Sequence, residues 1–266
     1  MRPRLNDDAE PAIKEFIRSK VEETSSEGVV VGLSGGIDSA LVSKLCCDAL
    51  GPERVLNIFM PSKSTPGPDR RDVEEFCDRF GMELRTFDIS EVVSCFCSQL
   101  PSAERWDLKG NVMARTRMVV LFHHANLMSR LVIGTGNKSE MLIGYFTKFG
   151  DGASDFAPIG DLYKTEVWEL ASRVGVPERI VNKVPCAGLW EGQTDEQEMG
   201  VCYEDLDSVL MGIERGLSVE DIVSRTGMDR EIVEKVWRMH LTSAHKRKAP
   251  LIPKLGVRTI GLDWRE

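Results

Sequence analysis

Four histidines and seven cysteines in 266 residues leave little material for a metal centre of nitrogen and sulfur. Cys46 and Cys47 are adjacent, Cys95 and Cys97 are one residue apart, and neither pair has a Cys-x-x-Cys or histidine partner at zinc-ligand spacing. An odd number of cysteines without a framework points to reduced thiols and a cytoplasmic protein. Basic charge is not in excess: the formal net charge is −8, which argues against general nucleic-acid binding. No apolar run approaches ~20 residues, so no membrane span is expected. The opening MRPRLNDDAE lacks the apolar core of a secretory signal. Two common phosphate signatures are also missing. There is no Gly-Lys-Ser/Thr ending to a glycine loop and no G-x-G-x-x-G, so neither an embedded-lysine phosphoryl-transfer loop nor a dinucleotide fingerprint is supported.

What is present is a repeated strand–helix alternation. Val29, Val30 and Val31 begin a β-branched strand over 29 to 33, of the kind buried on both faces of a parallel sheet. It ends in Ser34-Gly35-Gly36, and Ser39, Ala40, Leu41, Val42 and Leu45 then recur at helical spacing. Helical patterns also cover 10 to 24 and 110 to 130. Further strands read at 55 to 59, 84 to 87 and 131 to 133. Residues 62 to 69, SKSTPGPD, read as a polar loop before a helix that runs to Phe80 and is capped by Gly81. Three short helices are expected at 204 to 215, 219 to 226 and 229 to 244. The pattern implies an α/β fold, a doubly wound parallel sheet flanked by helices with a helical C-terminal part, as a single domain over 1 to 266.

The strand–glycine–helix junction exposes backbone N–H groups at a helix N-terminus, a natural anion site. A glycine-rich turn with no ligand is the plain alternative. Asp38 beside a phosphate makes sense where a divalent cation lies between them. The fourth strand runs into Gly134-Thr135-Gly136 and then a helix carrying Glu140. If strands one and four are neighbours, both carboxylates face the crevice at the topological switch point and form an oxygen-rich Mg²⁺ site. Glu140 could equally be a first-turn acid favoured by the helix dipole.

The SGGIDS element (34 to 39) resembles the pyrophosphate loop of the ATP pyrophosphatase superfamily. Together with GTGNKSE, YFTKFGDGASD, P-x-x-DLYKTEV, AGLWEGQTDE and the late HKR, it resembles the NAD synthetase family over about residues 10 to 260. That resemblance implies a homodimer that amidates deamido-NAD to NAD through a nicotinate adenylate, using ATP, Mg²⁺ and ammonia and releasing AMP and pyrophosphate. It implies ATP contacts from Gly32, Leu33, Ser34, Gly35, Gly36, Ile37, Asp38, Ser39, Thr135, Lys164 and Cys186, with Asp38 and Glu140 on the metal. Deamido-NAD would be held by Arg115, Lys148, Asp155, His245 and Lys246. Lys164 and Asp155 are the candidate catalytic residues, the latter as a base toward ammonium. Read without the resemblance, Lys164 is a solvated helix lysine, HKRK is a solvated basic patch, and Arg115 or Arg117 is a surface salt-bridge partner. Two departures stand out. Cys186 occupies a usual Ser/Thr position and is a weak donor, and Gly136 and Ser139 replace a common Ser and Thr. The glycine-rich 147 to 155 segment is expected to be mobile. The chain leaves no room for the glutaminase domain of some members, so free ammonia is the expected nitrogen donor. Rival readings are another ATP pyrophosphatase-type adenylating ligase, such as a tRNA-modifying one, and an ATP-binding regulatory module without turnover.

Overall fold

Val29, Val30 and Val31 are completely buried, and their side chains alternate between two separate cores. In the computed structural model, which describes residues 1–102, 105–186, 188 and 192–260, this strand is β1 (Gly28–Gly32). It follows α1 (Ala9–Glu23) and precedes α2 (Ile37–Leu50). Next come β2 (Val55–Phe59), α3 (Gly67–Phe80), β3 (Glu83–Thr86), α4 (Ser90–Gln99), α5 (Trp106–Leu127) and β4 (Arg130–Ile133). The remainder is helical: α6 (Lys138–Ile143), α7 (Lys164–Arg173), α8 (Glu178–Val181), α9 (Asp195–Met199), α10 (Tyr203–Glu214), α11 (Val219–Thr226) and α12 (Arg230–Thr242).

The four strands are parallel in the order β3-β2-β1-β4, with Val29 opposite both Val55 and Leu131. One face of the sheet, including Val29, Val31 and Val55, packs with buried residues of α1, α2, α3 and α7. The other, including Val30, Leu56, Ile58 and Val132, packs with α4 and α5. A parallel sheet covered on both sides needs near-continuous apolar strands, as the central β1 and β2 are, whereas the edge strand β3 carries Glu83 and Arg85. Each fully buried valine contributes roughly 1.5 kcal/mol or more. A third core, built from α6, α10, α11 and α12, forms the helical C-terminal part around Tyr203, Leu206, Val209, Ile222 and Val233.

Because β1 lies between β2 and β4, the winding direction reverses there. The crevice at the carboxyl ends of β1 and β4 is therefore the expected ligand site of such a sheet. Two local expectations need correction. The polar loop ends before 69, because Gly67-Pro68-Asp69 already form the first turn of α3, where proline costs no helix hydrogen bond. α4 is an additional helix, and only Val93 on it is fully buried, so its short amphipathic pattern is weak. Gly81 caps α3 in the left-handed conformation at φ 67°.

Candidate active site

At the end of β1 the chain turns through Gly35, whose φ is +85° and whose added Cβ would lie 3.3 Å from Asp69. Only glycine takes this position without strain. Gly36 is the N-cap of α2 and has no side chain to cap it. The first-turn N–H groups of Ile37, Asp38 and Ser39 therefore face the crevice unclaimed by a cap. Ser39 Oγ accepts from Ser34 N–H at 3.1 Å and donates to Gly36 O at 3.0 Å, while Ser34 Oγ accepts from Gly36 N–H at 3.2 Å. Leu33 and Ile37 point their side chains into the core, so they can offer a nucleotide only backbone atoms. Gly32 passes so close to Leu121 and Met60 that a Cβ would stand 3.3 and 3.4 Å from them.

Lys164, the first residue of α7, is 1% exposed. Its Nζ donates to Asp38 Oδ2 at 2.5 Å and lies 3.8 Å from Glu140 Oε1. The ring of Tyr203 sits beneath it at 5.1 Å. The solvated-lysine reading of Lys164 is thus replaced by a buried cation between two carboxylates. Burial alone would lower the pKa of this ammonium, but Asp38 and then Glu140 raise it, and the net shift is upward. Glu140 shows the reverse cost. Burial, and next the charge of Asp38, push its carboxyl up to about 8 against the pull of Lys164.

Asn137 was not singled out by the sequence and is fully buried. Its Nδ2 donates to Asp38 Oδ1 at 2.9 Å, its Oδ1 accepts from Glu140 N–H at 3.0 Å, and its own N–H donates to Glu140 Oε2 at 3.2 Å. One side chain thus orients both acids and caps α6. An Asn three residues before Glu, directly after a strand end, was the available signal. Asp195, in the TDE of the AGLWEGQTDE stretch, is also buried and accepts from Tyr203 Oη at 3.0 Å and Tyr145 Oη at 3.2 Å. Lys183 donates to Gly35 O at 3.1 Å, Asp69 at 2.6 Å and Asp72 at 2.8 Å, tying the glycine loop to α3. Neither residue was singled out.

The donor set fits a hard divalent cation. Two half-buried carboxylates already held around one positive charge match the way Mg²⁺ is bound, by one or two carboxylates plus phosphate oxygens. Among the described residues no group of three or more His, Cys, Asp or Glu could hold a metal unaided. A site completed by substrate phosphates is consistent with that.

A second basic group forms beside the C-terminal part. Arg115 is exposed and donates to Lys148 O at 3.3 Å, and Lys148 Nζ donates to His245 O at 3.0 Å. Arg115, Lys148 and His245 are therefore brought together from α5, the 147–155 loop and the turn at Ala244–Arg247. Lys246 donates to Gly144 O and Phe146 O, both at 2.7 Å, so only its third hydrogen is free for a ligand. Arg117 is turned inward instead, with Nε on Met60 O at 3.2 Å, and burial lowers its pKa. The loop expected to be mobile is held against α5. Thr147 Oγ1 donates to Asn111 Oδ1 at 2.8 Å, and a Cβ on Gly150 would stand 2.9 Å from Ala114. Asp155 runs beside β4 like a short extra strand. Its N–H donates to Val132 O at 2.9 Å and its Oδ2 accepts from Val132 N–H at 2.7 Å. Thr135 is half-buried just past β4. Cys186 is exposed and accepts from Gly188 N–H at 3.1 Å. Residues 187 and 189–191 of the same motif lie outside the described residues.

Elsewhere, a cavity of about 490 Å³ opens between the N-terminal segment and α10, lined by Arg2, Arg4, Lys138, Asp161, Glu214 and Arg215. Its charges are of both signs, and Lys138 is already paired with Asp161 and Glu214. It has none of the free N–H groups of the crevice.

Comparison with known proteins converges on one family. The family model for NAD synthase matches residues 10–250. An NH(3)-dependent NAD(+) synthetase of Methanosarcina mazei is 50% identical over 94% of this chain and 98% of its own. Two solved structures superpose over 93% of this chain and 98% of theirs: an NMN synthetase of Francisella tularensis (TM-score 0.83, 35% identity) and an NH3-dependent NAD synthetase of Campylobacter jejuni (TM-score 0.80, 33% identity).

Proposed function

This chain belongs to the NAD synthase family, and from that premise we propose that the β1–β4 crevice carries out ATP-dependent amidation of deamido-NAD to NAD with ammonia. The observation that carries the assignment of residues is the buried Lys164 between the half-buried carboxylates Asp38 and Glu140, at the mouth of the uncapped α2 N-terminus. In the first half-reaction the nicotinate carboxylate attacks the α-phosphorus of ATP and pyrophosphate leaves. The N–H groups of Ile37, Asp38 and Ser39, which no cap claims, hold the phosphates that depart, beside the Ser34 hydroxyl. Lys164 supplies a fixed positive charge in a water-poor site, where it stabilises developing negative charge more strongly than in bulk water. Asp38 and Glu140 would hold Mg²⁺, which when bound neutralises phosphate charge. Thr135 and Cys186 complete the ATP side. In the second half-reaction ammonia attacks the acyl carbon and AMP leaves.

Arg115, Lys148, His245 and Lys246 line the deamido-NAD side, with Asp155 at the edge of β4. Arginine suits the dinucleotide pyrophosphate through its planar fork of donors. The exposed apolar side chains of α4 and α5, among them Val92, Phe96, Trp106, Val119 and Leu127, are the surface we assign to a homodimer. Sedimentation of a fully active monomer would remove that assignment. Among the described residues no helix is long and apolar enough to cross a membrane. All seven cysteines are free, as suits a reducing cytoplasm.

The likeness to an NMN synthetase favours one second reading, in which the substrate is the mononucleotide, nicotinate mononucleotide. Both readings amidate the same carboxylate. Incubation with ATP, Mg²⁺ and ammonium, with either deamido-NAD or nicotinate mononucleotide, separates them. AMP is expected with deamido-NAD. A higher kcat/KM for the mononucleotide would move the substrate, and ATP binding without AMP from either would reduce the protein to a nucleotide-binding module.

A further inference from the structure

Asp207 lies on α10, outside the motifs that carry the family resemblance, yet it is completely buried. A buried carboxylate is costly unless its oxygens are hydrogen-bonded. Here the partners belong to the starts of two other helices. Oδ1 accepts from Ser139 Oγ at 2.5 Å, and Oδ2 accepts from Thr165 N–H and Thr165 Oγ1, each at 2.9 Å. Ser139 Oγ itself accepts from Lys164 N–H at 2.9 Å. The N-cap residue of α7, Tyr163, makes no side-chain cap bond. Asp207 and Ser139 together supply what a local Ser or Asp cap ordinarily would.

Lys164 and Thr165 are the first two residues of α7, and Ser139 and Glu140 are the second and third of α6. The carboxylate therefore clamps the two helix starts that present Lys164 and Glu140 to Asp38. We propose that Asp207 is a positioning residue for the reaction: it holds the Lys164 ammonium and the Glu140 carboxylate in register over the α2 N-terminus, and so gives the helical C-terminal part a direct role in adenylation. The proposal rests on the reading that Lys164 and Glu140 serve the ATP side. A carboxylate that merely glues α10 to its neighbours would affect stability and leave the chemistry of the folded enzyme unchanged.

The test compares Asp207→Ala, Asp207→Asn, Ser139→Ala and the wild-type protein, each assayed well below its own unfolding midpoint, with kcat and both KM values measured and ATP·Mg²⁺ binding followed by calorimetry. Misplacement of reacting groups by about 1 Å costs on the order of 10²-fold in rate. Asp207→Ala and Ser139→Ala should lower kcat by about tenfold to a hundredfold and weaken ATP·Mg²⁺ binding, with KM for deamido-NAD within about twofold of wild type. Asp207→Asn keeps the shape and can still accept from Thr165, so it should recover part of the loss. Wild-type kcat in folded Asp207→Ala would overturn the proposal. If that variant does not fold, wild-type kcat in Ser139→Ala, which leaves Asp207 in place, would overturn it equally. Absence of AMP formation by the wild-type protein would instead strike the proposed activity.

Discussion

Lys164 Nζ stands 2.5 Å from Asp38 Oδ2, although 126 positions separate the two residues in the chain. The contact joins the first βα turn to a helix that follows the last strand, across the point where the sheet reverses its winding. A cation fixed against Asp38 neutralises a carboxylate charge that is costly away from water. In the proposed reading it also marks where the phosphate charge of ATP and a divalent cation would be received.

Removing either acid should therefore abolish the cation requirement together with turnover. Asp38→Asn and Glu140→Gln are each expected to cut AMP formation by on the order of 10²-fold or more, through loss of electrostatic stabilisation at the leaving pyrophosphate. Lys164→Ala should act on the ATP side, whereas His245→Ala should act on KM for deamido-NAD. Steady-state kinetics at limiting and saturating Mg²⁺ provide the check, and an unchanged Mg²⁺ dependence in either carboxylate variant would remove that residue from the cation site.

The raised pKa of Glu140 makes stability depend on pH in a defined direction. Burial and Asp38 lift it from 4.5 to about 8 in the folded chain. Between those values the unfolded chain gives up a proton that the folded chain keeps, so stability from this group is full below about pH 4.5 and is lost as pH rises through about 8. Glu140→Gln mimics the protonated form at every pH. In chelator-treated protein without ATP, its Tm should match wild type near about pH 5 and exceed it near about pH 8.5. An equal Tm difference at both pH values would mean that Glu140 does not titrate in this window.

Asn137→Ala should reveal how far the acids depend on their shared partner. Loss of the α6 cap costs about 1 kcal/mol, and Asp38 Oδ1 loses its amide donor. The expected outcome is a modest fall in Tm with a larger fall in kcat. Calorimetric Tm alongside kinetics checks it, and a fall in Tm with unaltered kcat would limit Asn137 to capping.

Much of the sheet was legible because β1 is a continuous apolar run and β2 is broken only by Asn57, both punctuated by glycine and proline. The glycine loop was legible for the same reason, since Gly35 and Gly36 interrupt a strand–helix junction. The burial of Lys164 was not, because a lysine at the first turn of a helix carries no local sign of a carboxylate pair waiting across the sheet. Asp207 was hidden for a related reason. Its partners Ser139 and Thr165 are 68 and 42 positions away, and no periodicity encodes such a contact. The role of Lys246 toward Gly144 and Phe146 was equally invisible in a run of basic residues.

Thiol labelling should follow burial and nucleotide occupancy. Burial pushes the Cys77 thiol up to about 12 and that of Cys46 higher still, so both should resist alkylation in the folded protein near neutral pH. Cys95 and Cys186 are exposed and should react, Cys186 the more slowly for a thiol pKa raised by partial burial. ATP with Mg²⁺ should slow labelling of Cys186 and leave Cys95 unaffected, as read by peptide mass spectrometry after brief iodoacetamide treatment. Equal rates at Cys186 with and without nucleotide would take that residue off the ATP side.

In the proposed reading Asp155 serves the second half-reaction. Amines of ordinary basicity are largely protonated near neutral pH, and ammonia likewise arrives mostly as ammonium, which has no lone pair for attack on the adenylate. A carboxylate close to the acyl carbon would draw in the cation and take its proton. One oxygen of Asp155 is bound to Val132 N–H at 2.7 Å, which fixes the side chain at the end of β4 and leaves the other oxygen for such a role. Asp155→Asn preserves this anchor, because an amide oxygen can accept from the same N–H, while the charge and the basicity disappear. The variant should therefore fold normally and still exchange labelled pyrophosphate into ATP in the presence of deamido-NAD. NAD formation should fall by about 10²-fold or more, the scale of general acid–base catalysis. If exchange and NAD formation fell together and recovered together at high deamido-NAD, Asp155 would be a substrate-binding group and the proton of ammonium would leave by another route.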